Sequence, residues 1–175
     1  MIIGLSGYCR SGKDTVAGML VGLHGYEGRA FASPIREALL TLNPILESGH
    51  RINEIVQDYG WEVAKAKLEV RRLLQVLGTE VGRNMFGQDF WVDQAIKGLF
   101  KEDYIVFTDC RFPNEAEAIR NLGGEVWRII RPGVDAINAH PSEHALADYA
   151  FDRTIINDGS LDDLKVKVLE IVSVL

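Results

Sequence analysis

The chain alternates between short, continuously apolar runs and longer segments in which apolar residues recur every three or four positions. The first pattern is typical of strands buried on both faces, and the second of helices that cover a sheet. The short runs predict five strands, at residues 1–6, 29–32, 104–110, 125–131 and 154–157. This alternation predicts an α/β fold in which a parallel sheet carries helices on both faces.

Helices are predicted between and after these strands, at residues 14–23, from 33 onward, at 113–122 and from 160 onward. Ser33 is expected to cap its helix, with Pro34 at the first position, where a missing N–H costs nothing. Ser160 and Asp163 resemble a capping box, although Asp replaces the usual Glu.

The segment at residues 36–100 has a helical pattern almost throughout. It is too long for a single crossover between two neighbouring strands. We therefore expect one domain over residues 1–175, with a helical insertion at about 36–100 and a mobile, lid-like segment at about 132–146.

The composition is that of an ordinary globular protein, since 47% of the 175 residues are hydrophobic and 25% are charged. A formal net charge of −6 argues against a basic face that binds nucleic acid or a membrane surface. Cys9 and Cys110 are too few for a disulfide scaffold, and we expect free thiols. We find neither a signal-peptide pattern nor an apolar run near the roughly 20 residues of a membrane span, which predicts a cytoplasmic protein.

The most specific chemical signal lies at residues 7–15, which match G-x-x-x-x-G-K between a predicted strand and a predicted helix. Glycine lets the backbone wrap closely around phosphate oxygens, and the N–H groups at a helix start favour an anion. Lys13 is expected to reach the β- and γ-phosphates of a nucleotide. The phosphate-binding candidates are Gly7, Ser11, Gly12, Lys13, Asp14 and Thr15.

One position departs from the usual pattern, because the lysine is followed by Asp14 instead of Ser or Thr. A carboxylate beside phosphate oxygens is repulsive unless a cation lies between them. Asp14 therefore either contacts Mg²⁺, directly or through water, or points away from the site. Thr15 is still able to bind the α-phosphate.

A second acidic candidate, Asp109, ends the apolar run IVFTD. Ligands of parallel sheets bind beyond the carboxyl ends of the strands, so Asp109 is expected to approach Mg²⁺ or its water shell. An aspartate that merely begins a turn is the alternative. Arg111 is expected to pair with Asp109 or with a phosphate.

Within the predicted insertion, residues 69–83 have two different stripes on a wheel of 100° per residue. The apolar stripe contains Val70, Leu73, Leu74, Leu77 and Val81. The opposite, polar stripe contains Arg72, Gln75, Thr79 and Arg83. Arg71 lies in line with Gly78 and Gly82, a flat strip that would let a planar ligand approach, although a solvated face explains the polar stripe equally well.

Two late segments carry weaker signals. The loop at residues 132–144 follows a strand that ends in Arg131, and we expect it to close over a nucleotide and exclude water. His140 and His144 are separated by Pro141, so we interpret them as surface residues and not as metal ligands. The turn that begins at Asn157 is expected to lie near the adenine of a bound nucleotide, although an ordinary turn explains it equally well.

Several motifs, taken together and in order, resemble the deoxynucleoside monophosphate kinases encoded by bacteriophages. They are SGKDT at residues 11–15, FASPIREAL at 31–39, RRLLQVLGTEVGR at 71–83, FWV at 90–92, DCRFPNEAEAIRNLGG at 109–124, RPG at 131–133, HPSE at 140–143 and INDGSL at 156–161. They span most of the chain and are far more specific than a phosphate loop alone.

The resemblance implies a P-loop kinase fold with a five-stranded parallel core, ATP as phosphoryl donor, Mg²⁺ as cofactor and a deoxynucleoside monophosphate as acceptor. It also implies that Asp14 is the family's own form of the loop. It points to six acceptor-site candidates in the insertion: Arg71, Gln75, Thr79, Glu80, Arg83 and Trp91. Base preference, selectivity for deoxyribose and oligomeric state, a dimer included, stay open.

The expected reaction is an in-line attack of an acceptor phosphate oxygen on the γ-phosphorus of ATP. A phosphate monoester is largely ionised near pH 7, so catalysis is mostly positioning and charge neutralisation. The catalytic candidates are Lys13, Arg10, Asp109, Arg111 and Arg131. Two alternatives are a kinase for another small acceptor, such as dephospho-coenzyme A or phosphomevalonate, and a regulatory module that binds ATP without transfer.

Overall fold

The computed structural model describes residues 1–134 and 145–174. Its strands are β1 (Ile2–Ser6), β2 (Glu27–Arg29), β3 (Ile105–Phe107), β4 (Glu125–Ile130) and β5 (Arg153–Ile156). Its helices are α1 (Lys13–His24), α2 (Ser33–Leu42), α3 (Ile52–Ala66), α4 (Leu68–Gln75), a π-helix (Val76–Phe86), α5 (Phe90–Ile96), α6 (Pro113–Asn121) and α7 (Leu161–Val172). The strands form one parallel sheet in the order β2–β3–β1–β4–β5, which confirms the predicted α/β class.

The chain divides into two compact units. The sheet unit comprises Met1–Phe31 and Gly98–Leu175, and the helical unit comprises Ala32–Lys97. The description of the chain as one kinase domain with an insertion stays a prediction. Within the described residues, none of the helices combines the length and the apolar character needed to cross a membrane.

In the sheet unit, the side chains of the central strand β1 alternate between the two faces of the sheet. Ile3 and Leu5 pack against α1 and α7 in the main apolar core. On the opposite face, a side chain at Gly4 would overlap Ile119 of α6, so glycine lets this helix lie close to the sheet. Helices therefore cover both faces, as the sequence predicts.

The register of the sheet brings the ends of its central strands together. Ser6, the last residue of β1, aligns with Arg128 of β4, and Gly4 aligns with Phe107, the last residue of β3. In parallel sheets, ligands bind beyond these carboxyl ends. The loop that follows β1 is therefore flanked by the residues that follow β3 and β4.

The helical unit has an apolar core of its own. The buried residues of this core are Leu39, Leu46, Ile52, Ile55, Ala64 and Val70. The predicted apolar stripe is confirmed for four of its members, since Leu73, Leu74 and Leu77 pack with Val70 in this core. Helix α3 is interrupted at Gly60, whose φ of 77° is not helical.

The segment Val76–Phe86 winds as a π-helix, whereas the predicted wheel assumed an α-helix. Its Gly78 and Gly82 are buried, with Ile35 beside Gly78 and the indole of Trp91 directly against Gly82. Trp91 Nε1 donates to the carbonyl oxygens of Gly78 at 3.1 Å and of Leu77 at 3.3 Å. The prediction that this strip admits a planar ligand is wrong, because the planar group on it is the protein's own tryptophan.

Several element boundaries also differ from the predictions. β2 covers residues 27–29 instead of 29–32, and β3 covers 105–107 instead of 104–110, because the ladder between them ends at the pair Arg29 and Phe107. Beyond that pair, the backbone N–H of Phe31 donates to the side chain of Asp109 at 2.7 Å. The predicted cap at Ser33 is wrong, since Ser33 is already helical and the preceding Ala32 is the N-cap, with no side-chain cap bond.

Two helix ends have the structure that the sequence predicts. Asp163 Oδ2 accepts from the N–H of Ser160 at 2.8 Å, and Ser160 Oγ accepts from the N–H of Asp163 at 3.2 Å, which confirms the capping box. Helix α6 ends just before Gly123, whose φ is 75°. Local sequence determines both ends, because each depends only on residues within one turn.

We expect Gly82→Ala to lower the free energy of unfolding by about 1–3 kcal/mol, because the added methyl group would overpack against Trp91. Gly18→Ala is the matched control. Gly18 lies within α1, and apart from the helix's own backbone no described atom lies within 4 Å of the position of an added Cβ. Alanine should therefore raise the free energy of unfolding by about 0.5–1 kcal/mol. Urea unfolding followed by circular dichroism measures both values, and equal effects would contradict the packing of Trp91 on the π-helix.

Candidate active site

The loop between β1 and α1 has an unusual backbone. Gly7, Arg10 and Gly12 have φ angles of 152°, 68° and 103°. A side chain at Gly7 would overlap the carbonyl oxygen of Ile129 on β4, so only glycine fits there. Left-handed residues that alternate with ordinary ones curl a chain so that successive N–H groups form an anion-binding concavity.

Two polar side chains of this loop are buried. Ser11 is 1% exposed and Lys13 is 9% exposed. Within residues 1–134 and 145–174, Ser11 Oγ has no hydrogen-bond partner and Lys13 has no ion pair. Burying such groups without partners costs free energy, and an anion bound by the loop would supply a partner for both.

The start of α1 also favours an anion. Its N-cap is Gly12, and no side-chain cap bond is found at this end in the described part of the chain. The first-turn N–H groups and the positive end of the helix dipole then attract negative charge. Asp14 and Thr15 lie in this first turn and are exposed.

Asn157 supports the loop from the sheet side. Its side chain is buried, and its Nδ2 donates to the carbonyl oxygen of Ser11 at 2.9 Å. A side chain at Gly12 would overlap this amide group. An ion pair of 2.6 Å between Asp158 and Lys167 stabilises the turn that carries Asn157. The predicted contact with adenine stays a prediction, but a role in holding the loop is visible.

A cavity of about 260 Å³ opens beside the loop. Gly7 and Ser11 of the loop line it. Its basic lining residues are Lys13, Arg111, Arg128 and Arg131, and its apolar ones include Val134, Leu146 and Phe151. The structure therefore brings three of the five catalytic candidates to one cavity, whereas Arg10 is exposed on the loop and does not line it.

Arg111 is placed by a buried carboxylate. Glu115 is 5% exposed, and its Oε2 accepts from the backbone N–H groups of Arg111 at 2.7 Å and of Phe112 at 3.0 Å. Pro113 then begins α6, as the sequence predicts. The backbone of Arg111 is thus fixed at the rim of the cavity.

Asp109 has a structural partner. Its Oδ1 accepts the bond from Phe31 described above, which joins the segments after β2 and β3. With Asp14 it is one of two predicted magnesium ligands. Mg²⁺ usually takes one or two carboxylates together with substrate phosphates and water, so two aspartates fit such a site. Within residues 1–134 and 145–174, no group of three or more His, Cys, Asp or Glu side chains is arranged for a metal.

Sequence reasoning missed Arg128, which lies on β4, the strand between β1 and β5. Its Nη1 donates to the carbonyl oxygen of Ala147 at 3.2 Å, and its guanidinium carbon lies 5.1 Å from the centre of the Phe151 ring. The available signal was a charged residue between Trp127 and Ile129, inside the otherwise apolar run VWRII. A charge at such a position requires a reason, because strands buried on both faces are usually apolar.

The acceptor candidates lie on consecutive segments of the helical unit. Arg71 Nε donates to the carbonyl oxygen of Lys65 at 2.7 Å, and both residues line an open depression of about 410 Å³. Of the other candidates, Arg83 is half-buried and Trp91 is 8% exposed. The exposed ones are Gln75, Thr79 and Glu80. Contact of these residues with an acceptor stays a prediction.

The start of the predicted lid-like segment is a turn. The N–H of Val134 donates to the carbonyl oxygen of Arg131 at 3.1 Å, and Gly133 has a φ of 78°. His140 and His144 lie outside the described residues.

A parallel sheet with a phosphate loop between its central strand and the next helix is the architecture of the P-loop nucleotide-binding proteins. A family model described as deoxynucleotide monophosphate kinase matches residues 43–168. The chain belongs to this family.

Individual relatives agree with the family. A protein of Acanthamoeba polyphaga mimivirus, provisionally named a deoxynucleotide monophosphate kinase, is 27% identical over 195 aligned positions, which cover 98% of this chain and 96% of the relative. The deoxynucleotide monophosphate kinase of Enterobacteria phage T4 is 36% identical over 111 positions, or 61% of this chain and 46% of the phage protein. This match therefore spans less than half of the phage protein.

Among solved structures, the dephospho-CoA kinase of Campylobacter jejuni has a TM-score of 0.48 at 14% identity, with 98% of this chain and 95% of that chain covered. A likeness of this size says nothing about the acceptor.

The two thiols allow a direct test of the loop. Cys9 is exposed in the loop, whereas Cys110 is buried. Burial, with the nearby charges of Glu115 and Asp109, raises the pKa of Cys110 well above its ordinary value, which keeps this thiol protonated and unreactive. We expect iodoacetamide to alkylate Cys9 in preference to Cys110, and inorganic tripolyphosphate to slow that reaction. Peptide mass spectrometry measures both rates, and no protection by saturating tripolyphosphate would contradict anion binding at the loop.

We expect Asn157→Leu to raise the KM for ATP about tenfold, because a buried carbonyl oxygen of the loop would lose its donor, at a cost of roughly 1–3 kcal/mol. Steady-state kinetics, with each substrate varied in turn, measures this effect. The KM for the acceptor should not change. Lys165→Ala, an exposed residue of the helix that follows this turn, is the control and should leave both values unchanged. Equal kinetics of Asn157→Leu and wild type would show that the loop needs no such support.

Proposed function

We propose that the protein transfers the γ-phosphoryl group of ATP to a deoxynucleoside monophosphate and so forms the diphosphate. The observation that carries the proposal is the loop at residues 7–15, where Ser11 and Lys13 are buried without partners among the described residues at the start of α1. Membership in the deoxynucleotide monophosphate kinase family supports the choice of acceptor.

On the donor side, the concavity of the loop binds the β- and γ-phosphates of ATP, with Lys13 on their oxygens and Thr15 near the α-phosphate. Asp14 and Asp109 are the residues that would hold Mg²⁺. When bound, the ion neutralises charge on the phosphate oxygens. The basic lining of the cavity supplies further positive charge.

On the acceptor side, we assign the phosphate of the monophosphate to Arg71 and Arg83. The planar fork of a guanidinium binds two phosphate oxygens at once. The bond from Arg71 Nε to Lys65 fixes the orientation of that fork, while its Nη groups have no partner among the described residues. The remaining candidates are Gln75, Thr79, Glu80 and Trp91.

In the reaction, an oxygen of the acceptor phosphate attacks the γ-phosphorus and the bond to the β-phosphate oxygen breaks. The attacking phosphate is largely ionised near pH 7, so no general base is required. Lys13, Arg111 and Arg131 stabilise the negative charge of the transferring group, and Arg10 is a further candidate. The contribution of the protein is positioning and electrostatic stabilisation.

The test is phosphoryl transfer from ATP with Mg²⁺ to dAMP, dGMP, dCMP, dTMP, the four ribonucleotides and dephospho-coenzyme A. We expect diphosphate from at least one deoxynucleotide, detected by ion-exchange chromatography. Transfer only to dephospho-coenzyme A would contradict the acceptor but keep the kinase chemistry. No transfer to any acceptor would leave a protein that binds ATP without catalysis.

We expect Lys13→Ala to lower kcat by about 10²–10³-fold, since removal of one such electrostatic contact typically costs roughly 3–4 kcal/mol of transition-state stabilisation. Stopped assays with the best acceptor measure this loss, and circular dichroism checks the fold. Lys165→Ala, an exposed lysine of α7, is the control and should keep wild-type kcat. Near-normal turnover in Lys13→Ala would contradict the assignment of Lys13 to the phosphates of ATP.

A further inference from the structure

Two arginines bind the same short segment, residues 145–152, which precedes β5. Arg120 of α6 donates to the carbonyl oxygen of Ala150 and forms an ion pair of 2.9 Å with Asp152. Its guanidinium carbon lies 4.7 Å from the centre of the Tyr149 ring. All of these contacts hold the segment in place.

Arg128 of β4 binds this segment in a similar way, through the carbonyl oxygen of Ala147 and the ring of Phe151. It differs from Arg120 in two respects. It has no carboxylate partner among the described residues, and it lines the cavity beside the phosphate loop, which Arg120 does not. A purely structural role explains Arg120 but leaves the charge of Arg128 without a counter-charge in the part of the chain that the structure describes.

The charges around the cavity indicate a second role for Arg128, in addition to its contacts with residues 145–152. Lys13, Arg111, Arg128 and Arg131 all line it, and no carboxylate does so within residues 1–134 and 145–174. Four cations around one cavity repel one another, and a half-buried guanidinium is costly without a counter-charge. A phosphate group bound in the cavity would offset both costs.

The position of Arg128 is also preorganised. It aligns with Ser6, the residue immediately before the phosphate loop, on the neighbouring strand of the sheet. The contact with Phe151 holds the plane of the guanidinium, so little side-chain freedom is lost when it binds an anion. Arginines held in this way are suited to stabilising a phosphoryl group during transfer.

We propose that Arg128 is a further catalytic residue, which donates hydrogen bonds to a phosphate oxygen in the cavity. The inference rests on the proposed function in assigning that phosphate to a substrate. The phosphate belongs either to the polyphosphate of the donor or to the monophosphate of the acceptor. The same guanidinium chemistry recognises both.

The first experiment measures binding of inorganic tripolyphosphate by isothermal titration calorimetry, and it does not depend on transfer. We compare Arg128→Gln with the matched control Arg120→Gln, which removes an arginine from the same segment but not from the cavity. If Arg128 binds donor phosphates, its variant should raise the Kd about 10- to 100-fold, the loss expected for a charge-assisted contact, while Arg120→Gln keeps the wild-type Kd.

The second experiment is steady-state kinetics with ATP and the best deoxynucleotide. A raised KM for ATP or a lowered kcat in Arg128→Gln assigns the contact to the donor or to the transferring group. A raised KM for the deoxynucleotide alone, with normal tripolyphosphate binding, assigns it to the acceptor. Arg128→Lys keeps the charge without the planar fork and should recover part of the loss.

The inference is overturned if Arg128→Gln matches Arg120→Gln in tripolyphosphate binding and in all kinetic constants, with a loss of thermal stability as the only effect. If Arg128→Gln does not fold, Arg128→Lys replaces it in both experiments. A wild-type protein that binds tripolyphosphate but transfers to no acceptor would refute the proposed function. In that case the calorimetric comparison would still decide the role of Arg128.

Discussion

The backbone of residues 7–12 packs directly on the ends of β4 and β5, and the geometry of the candidate site depends on this contact. Gly7 lies against the carbonyl oxygen of Ile129, and Gly12 lies against the amide of Asn157. Any larger residue at either glycine would push the loop away from the sheet. The same close packing buries Ser11 and Lys13 at the start of α1. A bound anion at this position would supply both side chains with a partner.

A second feature follows from the parallel sheet. Because the carboxyl ends of parallel strands meet at one edge, residues far apart in the chain contribute charge to one cavity. Two of these charges have local support, since Glu115 fixes the backbone of Arg111 and Phe151 packs on Arg128. Positive charge held in place before a ligand arrives needs little reorganisation during phosphoryl transfer, which is the main way such enzymes accelerate it.

In the helical unit, packing decides whether the strip of two glycines is open to a ligand or filled by the protein itself. The two glycines of its π-helix suggest a surface open to a ligand, yet Trp91 fills that surface and donates to the carbonyl oxygens beneath it. π-Helices are rare and are often found at functional sites. Here the wide helix and the indole form one packed unit, which places Thr79 and Glu80 on its exposed side.

The sequence by itself determined the class of fold and the phosphate loop, because both depend on local requirements. Strands and helices leave their own periodicities, and a loop that needs left-handed backbone shows as glycine. Only the tertiary structure decided the partners of that loop. Asn157 reaches Ser11 from 146 residues away, and Arg128 enters the cavity through the register of β4 with β1. No local pattern encodes such pairs, because they exist only once the sheet has aligned strands that are distant in the chain.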